Sequence, residues 1–140
     1  MATTYKPIVA LEAIAAAIAA IDGAPHIERS AVNLRPQTSP TVFINFAGMT
    51  RQQGDTWSMA IELAILTTSQ NEQLDEEVLK CICEIDAALD LDATRIAAGG
   101  RIDRPSWEPV FAVRPGASAG SAVGAGGVVS VLIQSPLLTS

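Results

Sequence analysis

Aromatic residues are scarce in this 140-residue chain, at 4% of the sequence. Few large rings exist to stack on bases or sugars, and the core has to be built from Ile, Leu, Val and Ala. Basic residues are also short, with 9 Lys and Arg against 15 Asp and Glu for a formal charge of -6. Nucleic-acid binders draw most of their affinity from phosphate neutralisation by a basic stripe. Here Arg101, Arg104 and Arg114 are the nearest approach, and Asp103 and Glu108 interrupt them. Long apolar runs are missing too: "IAAAIAAI" (14–21) is too short to span a bilayer. "MATTYKPIVALEAIAAAIAAIDG" lacks the basic start of a secretory signal. These features predict a soluble chain made in a cytoplasm, with no membrane partner.

What is present is aliphatic. Hydrophobic residues make up 49% of the chain, and its length suits one domain over 1–140. The two cysteines, Cys81 and Cys83, stand two apart in a predicted helix, about 200° around its axis. They cannot share an ion or bridge each other, and they read as packing residues in a reducing compartment.

Catalytic motifs fail on context. "GASAG" (116–120) matches G-x-S-x-G, but no helix pattern follows, no acid follows Glu108, and the single histidine, His26, lies far upstream. The same stretch is no phosphate cradle, because no lysine follows Lys80. His26 with Glu28 supplies too few ligands for a metal. Asp86, Asp90 and Asp92 lack the glycine and glutamate that a calcium loop requires at its sixth and twelfth positions. The sequence thus predicts no catalytic residues, no metal and no cofactor.

Periodicity gives the elements. Leu11, Ile14, Ile18 and Ile21 form one stripe, predicting a helix over 7–21, with Pro7 in its first turn and Gly23 as its stop. Residues 24–40 read as irregular. "TVFINFA" (41–47) alternates, and so does "DTWSMAIELAIL" (55–66), where Trp57, Met59, Ile61, Leu63 and Ile65 share a face. The polar stretch between them predicts a long hairpin, and 48–56 is expected to project from it without a core role. Leu74, Val78, Ile82, Ile85 and Leu89 predict a second helix over 71–90, capped by Asn71 or Asp75. Residues 95–114 read as an extended pair, with Pro109 marking an edge strand. The Gly/Ala/Ser-rich stretch 115–127 reads as a flexible loop, and 128–134 as the last strand. The expected fold is α+β: an antiparallel-dominated mixed sheet of 4–5 strands with two helices packed on one face.

The order of an amphipathic helix, a long hairpin opening its second strand with Asp55-Thr56-Trp57, and an acidic-started helix led by Leu74-Asp75 resembles the tail terminator proteins of long-tailed bacteriophages. The resemblance covers roughly 5–114 and 128–134. It implies a virion structural protein, assembled in the host cytoplasm and located at the head-proximal end of the tail. Such a protein forms a ring, typically a homo-hexamer, that caps the tail tube protein, stops polymerisation and meets the head-tail connector or neck protein. DNA would pass through without specific binding. On this reading Arg51, Gln52 and Gln53 contact a neighbouring chain or the tube, Glu62 meets a subunit boundary, and Arg101 and Arg104 serve protein contacts. The alternatives are another neck or tail-completion ring protein, and a non-viral small-ligand-binding α+β domain.

Overall fold

The computed structural model describes residues 2–29, 40–67, 74–112 and 122–140. Its elements run β1 (Thr4–Tyr5), α1 (Lys6–Ala19), β2 (His26–Glu28), β3 (Thr41–Gln52), β4 (Thr56–Thr67), α2 (Leu74–Leu89), α3 (Asp92–Ala98), β5 (Arg101–Asp103), β6 (Glu108–Ala112), β7 (Ala122–Gln134) and β8 (Leu138–Thr139). The main sheet has the order β2-β3-β4-β7-β5, and β6 pairs with β7 beside β5. All its pairings are antiparallel except β2 with β3. The chain folds as the α+β sandwich its patterning predicts; among the described residues the main sheet has six strands instead of four or five, and there are three helices instead of two.

Alternation decides which face is dry. Met59, Ile61, Leu63 and Ile65 of β4 are buried with Val42 and Ile44 of β3 and Val129, Val131 and Ile133 of β7. Ala10, Ala13, Ile14 and Ile18 of α1, Cys81, Ile85 and Leu89 of α2, and Ala98 of α3 cover them. Each fully buried aliphatic side chain contributes about 1.5–3 kcal/mol, so this one-sided layer carries most of the fold's stability. Trp57, expected on the same face, is only partly buried, and its indole Nε1 donates to Ser135 Oγ at 3.1 Å. A smaller cluster, Phe43 and Leu66 with Ala64 against them, fills one end of the opposite face.

Several expectations need correction. The hairpin has no eight-residue polar connection: β3 continues to Gln52 through a bulge between Phe46 and Gly48, and only residues 53–55 turn. Gly54 and Asp55 take positive φ there (74° and 60°), conformations that glycine and aspartate tolerate best. Met49 packs against the core, so 48–52 is not free of a core role. Residues 24–40, read as irregular, contain the short strand β2. Asp92–Ala98 is a helix, whose last four residues were expected in extended chain, and its buried Thr94 donates to the Ala88 carbonyl at 2.7 Å.

The largest error concerns glycine. Residues 122–127, expected as part of a flexible loop, form the first half of β7, paired with β4 on one side and β6 on the other. Small residues are required here by proximity: a Cβ at Gly124 would overlap the carbonyl oxygen of Ile65. The remainder of that loop (115–121), including Ser118 and the "GASAG" motif, lies outside the described residues, as does the proposed cap Asn71. The other proposed cap, Asp75, sits inside α2. Among the described residues Pro109 occupies a strand paired only to β7, as an edge position predicts.

Candidate functional site

The outer face of the sheet, opposite the helices, carries the polar half of each alternating strand. Across β4 and β7 the rows are Glu62 with Val128, Ala60 with Ser130, and Ala64 with Gly126. β5 adds Asp103 beside Ser130, and β6 adds Glu108 beside Gly126. Since β5 ends at Asp103 and β6 begins at Glu108, residues 104–107 leave a gap along β7 next to Val128. An open groove of about 620 Å³ forms there, with Glu62, Asp103 and Glu108 on its walls and Gly126, Gly127 and Val128 on its floor. Val128 is 48% exposed.

The six residues singled out in the sequence fall in three places. Arg51, Gln52 and Gln53 stand exposed at the hairpin tip, where Arg51 donates to Asp55 at 3.2 Å. Glu62 lies mid-strand on the outer face, roughly 25 Å from the tip at about 3.3 Å per residue. It is exposed and forms no ion pair among the described residues. Arg101 starts β5 and donates to Asp103 on its own strand at 3.1 Å. Arg104 lines the groove yet turns its guanidinium to α2, donating to Asp86 at 2.8 Å with Asp90 3.9 Å away. Glu62 and Arg104 therefore meet in one groove, while the tip residues remain apart from both.

Sequence reasoning missed most of that groove. In the sequence Asp103 and Glu108 read only as interruptions of a basic run, Asp86 and Asp90 only as a solvated helix end, and nothing singles out Ser106. The available signal was opposite charge: the single arginine between β5 and β6 needs an acid within reach, and Asp86 in α2 and Asp90 just after it are two candidates. Side-chain exposures of 42% for Arg104 and 45% for Asp86 make this a weak surface tie, worth under about 1 kcal/mol.

Other titratable groups are local. His26 begins β2, not a loop as its prolines suggested, and its Nε2 lies 2.7 Å from Glu28 Oε1. Arg29 reaches back to Glu12 at 3.2 Å. Arg95 pairs with Asp92 within α3. Cys81 is buried, and its thiol is pushed up to about 11, first by burial and then by the nearby Glu84 and Glu77. Cys83 is exposed. Among the described residues no three His, Cys, Asp or Glu gather to hold a metal ion, and no helix is long and apolar enough to cross a membrane.

This arrangement can bind by shape, charge and backbone pairing. Among the described residues, β2 covers the outer edge of β3 only at Thr41–Phe43, which leaves the edge of Ile44–Gln52 open. Phe46 on that stretch is 57% exposed. No family model matches the chain, and no curated protein matches its sequence.

Proposed function

We propose that this protein is a structural, non-catalytic subunit of the phage tail terminator kind, which caps the tail tube as a ring and helps join tail to head. The observation that carries this reading is the placement of all three helices on one sheet face. Among the described residues that leaves the opposite face open around Glu62 and Val128, with Phe43 and Leu66 buried at one end of it, a hairpin of two twelve-residue strands with a polar tip, and a β3 edge unpaired over Ile44–Gln52. A long uncovered strand edge is a liability in a monomer and an asset in a subunit. The element order of N-terminal helix, long hairpin, acidic-started helix and terminal strand supports the same resemblance.

Net charge fits a conduit. Six copies of a -6 chain carry -36, which disfavours phosphate within about 8–10 Å of the wall at physiological salt. On this reading Arg51, Gln52 and Gln53 at the tip meet the tube or the next subunit. Assembling tails without the protein tests it. Tails of irregular excess length that do not join heads are expected, and normal-length, head-joined tails would refute the reading. The groove at Glu62 and Glu108 favours a second reading, a small-ligand-binding domain, which becomes the leading account in that event.

A further inference from the structure

The helical layer carries two apolar surfaces at opposite ends of α1. At its start, Tyr5 of β1 pairs directly with Leu138 of β8, and Ile8 and Val9 follow Tyr5 by three and four residues. Ile8 and Val9 lie in the first turn of α1, exposed and off the side that buries Ala10, Ala13 and Ile14. Tyr5, Ile8, Val9 and Leu138 are large, apolar and 42–57% exposed. At its other end, Ala17, Ala20 and Ile21 face Ala87 and Leu91 across a groove of about 340 Å³. Leu91 is 57% exposed. Ile8 and Ala20 are twelve residues apart, about 18 Å along the helix axis at 1.5 Å per residue.

Charge matches across the two surfaces. Beside the knob, Lys6 has its Nζ 3.1 Å from the Gln134 carbonyl and has no carboxylate partner among the described residues. Beside the groove stand Asp22 and Glu84, which form no ion pair among the described residues. A knob and a groove at different places on one molecule cannot satisfy each other within it. Repeated from copy to copy they make a heterologous contact, which yields a ring when the rotation closes.

We propose that copies of this chain assemble head to tail through α1. The Tyr5–Ile8–Val9–Leu138 knob of one copy sits in the Ala20–Ile21–Ala87–Leu91 groove of the next, and Lys6 reaches Asp22 and Glu84. This rests on the ring reading above and names the contact that closes it. Four half-exposed side chains offer on the order of 400 Å² of surface, against about 800 Å² per partner in a stable pair. One contact is therefore weak. A closed ring engages a knob and a groove on every copy at once, so the assembly holds where an isolated pair separates.

The test is the mass of the full chain in solution, by light scattering and native mass spectrometry over a range of concentrations. The unaltered chain is expected to form a multimer. Ile8→Asp and Leu91→Asp, both at exposed positions, should raise the concentration needed for assembly about 100-fold with the circular dichroism spectrum unchanged. Lys6→Glu should raise it about fivefold, and adding Asp22→Lys with Glu84→Lys should restore it. This swap puts no charge in the apolar knob or groove, Asp22 and Glu84 are exposed and Lys6 is half-buried, so it decides the matter even if an aspartate variant misfolds. A multimer indifferent to all of these variants overturns this contact and leaves the ring reading standing. An unaltered chain that stays monomeric throughout overturns this contact, and the ring reading then stands or falls on the tail-assembly test above.

Discussion

Gly124→Ala adds one methyl group to the middle of the sheet, and the structure sets its cost. Gly124 lies opposite Leu66 on β4 and opposite Val110 on β6, so a strand flanks it on either side. An added Cβ overlaps the Ile65 carbonyl oxygen and comes within 2.9 Å of Leu66 Cδ2. Leu66 can shift, but the carbonyl is backbone inside the β4–β7 ladder. Relief requires the two strands to part locally, and overpacking of this kind costs about 1–3 kcal/mol. Loss of the adjacent ladder hydrogen bonds costs about 1 kcal/mol each. Against this, alanine in place of glycine stabilises by about 0.4–1 kcal/mol through the unfolded chain. The overlap wins, giving a net loss of about 2–3 kcal/mol. For a domain of this size the melting temperature should fall by roughly 8–12 °C. Urea unfolding followed by Trp fluorescence measures the loss, and Val128→Ala, at a 48%-exposed position, should stay within about 0.5 kcal/mol as the control. If Gly124→Ala is neutral or stabilising, 122–127 is the flexible loop its composition suggests, and the strand reasoning fails.

Two further outcomes follow from the core. Ile61→Ala removes a fully buried side chain between the sheet and the helices and should cost about 2–5 kcal/mol in the same urea assay; a change under about 0.5 kcal/mol would mean the residue is not core. Because the folded state holds the Cys81 thiol neutral up to about 11 against an ordinary 9.0, the unfolded chain loses its proton first, so stability should fall as pH rises from about 9 to about 11. A Cys81→Ala variant should show a shallower decline over that window, and equal slopes would refute the assignment. Thiol labelling at pH 8 should modify Cys83 in the folded protein and Cys81 only on unfolding.

The sequence made the dry side of the sheet legible because burial on one face leaves a period of two. Val42, Ile44, Met59, Ile61, Leu63 and Ile65 are all buried as their alternation predicts. The helix stripes were legible for the same reason at a period of 3.6, with Ile14, Ile18, Ile85 and Leu89 buried. Composition misled wherever tertiary contact overrides local preference. Gly124, Gly126 and Gly127 look like linker glycines, yet two of them sit where neighbouring backbone excludes a side chain. β2 is three residues long and leans on β3, and α3 is seven residues long with only Thr94 and Ala98 buried, so neither carries enough period to announce itself. The groove was invisible because it is made where β5 hands over to β6, and pairing register is not written in either segment alone.

The pairing of β1 with β8 places Thr4 opposite Thr139. Both ends of the fold therefore leave it at one doorway, beside Ile8 and Leu138. A purification tag fused to either end would crowd that same corner, whichever end was chosen. The turn at residues 53–55 lies at the far tip of the hairpin, is exposed and carries no core side chain. Bridging the doorway with a short linker and opening the chain at that turn would give a permuted protein with the same strand neighbours. Its handle would then sit clear of the corner where β1 and β8 meet.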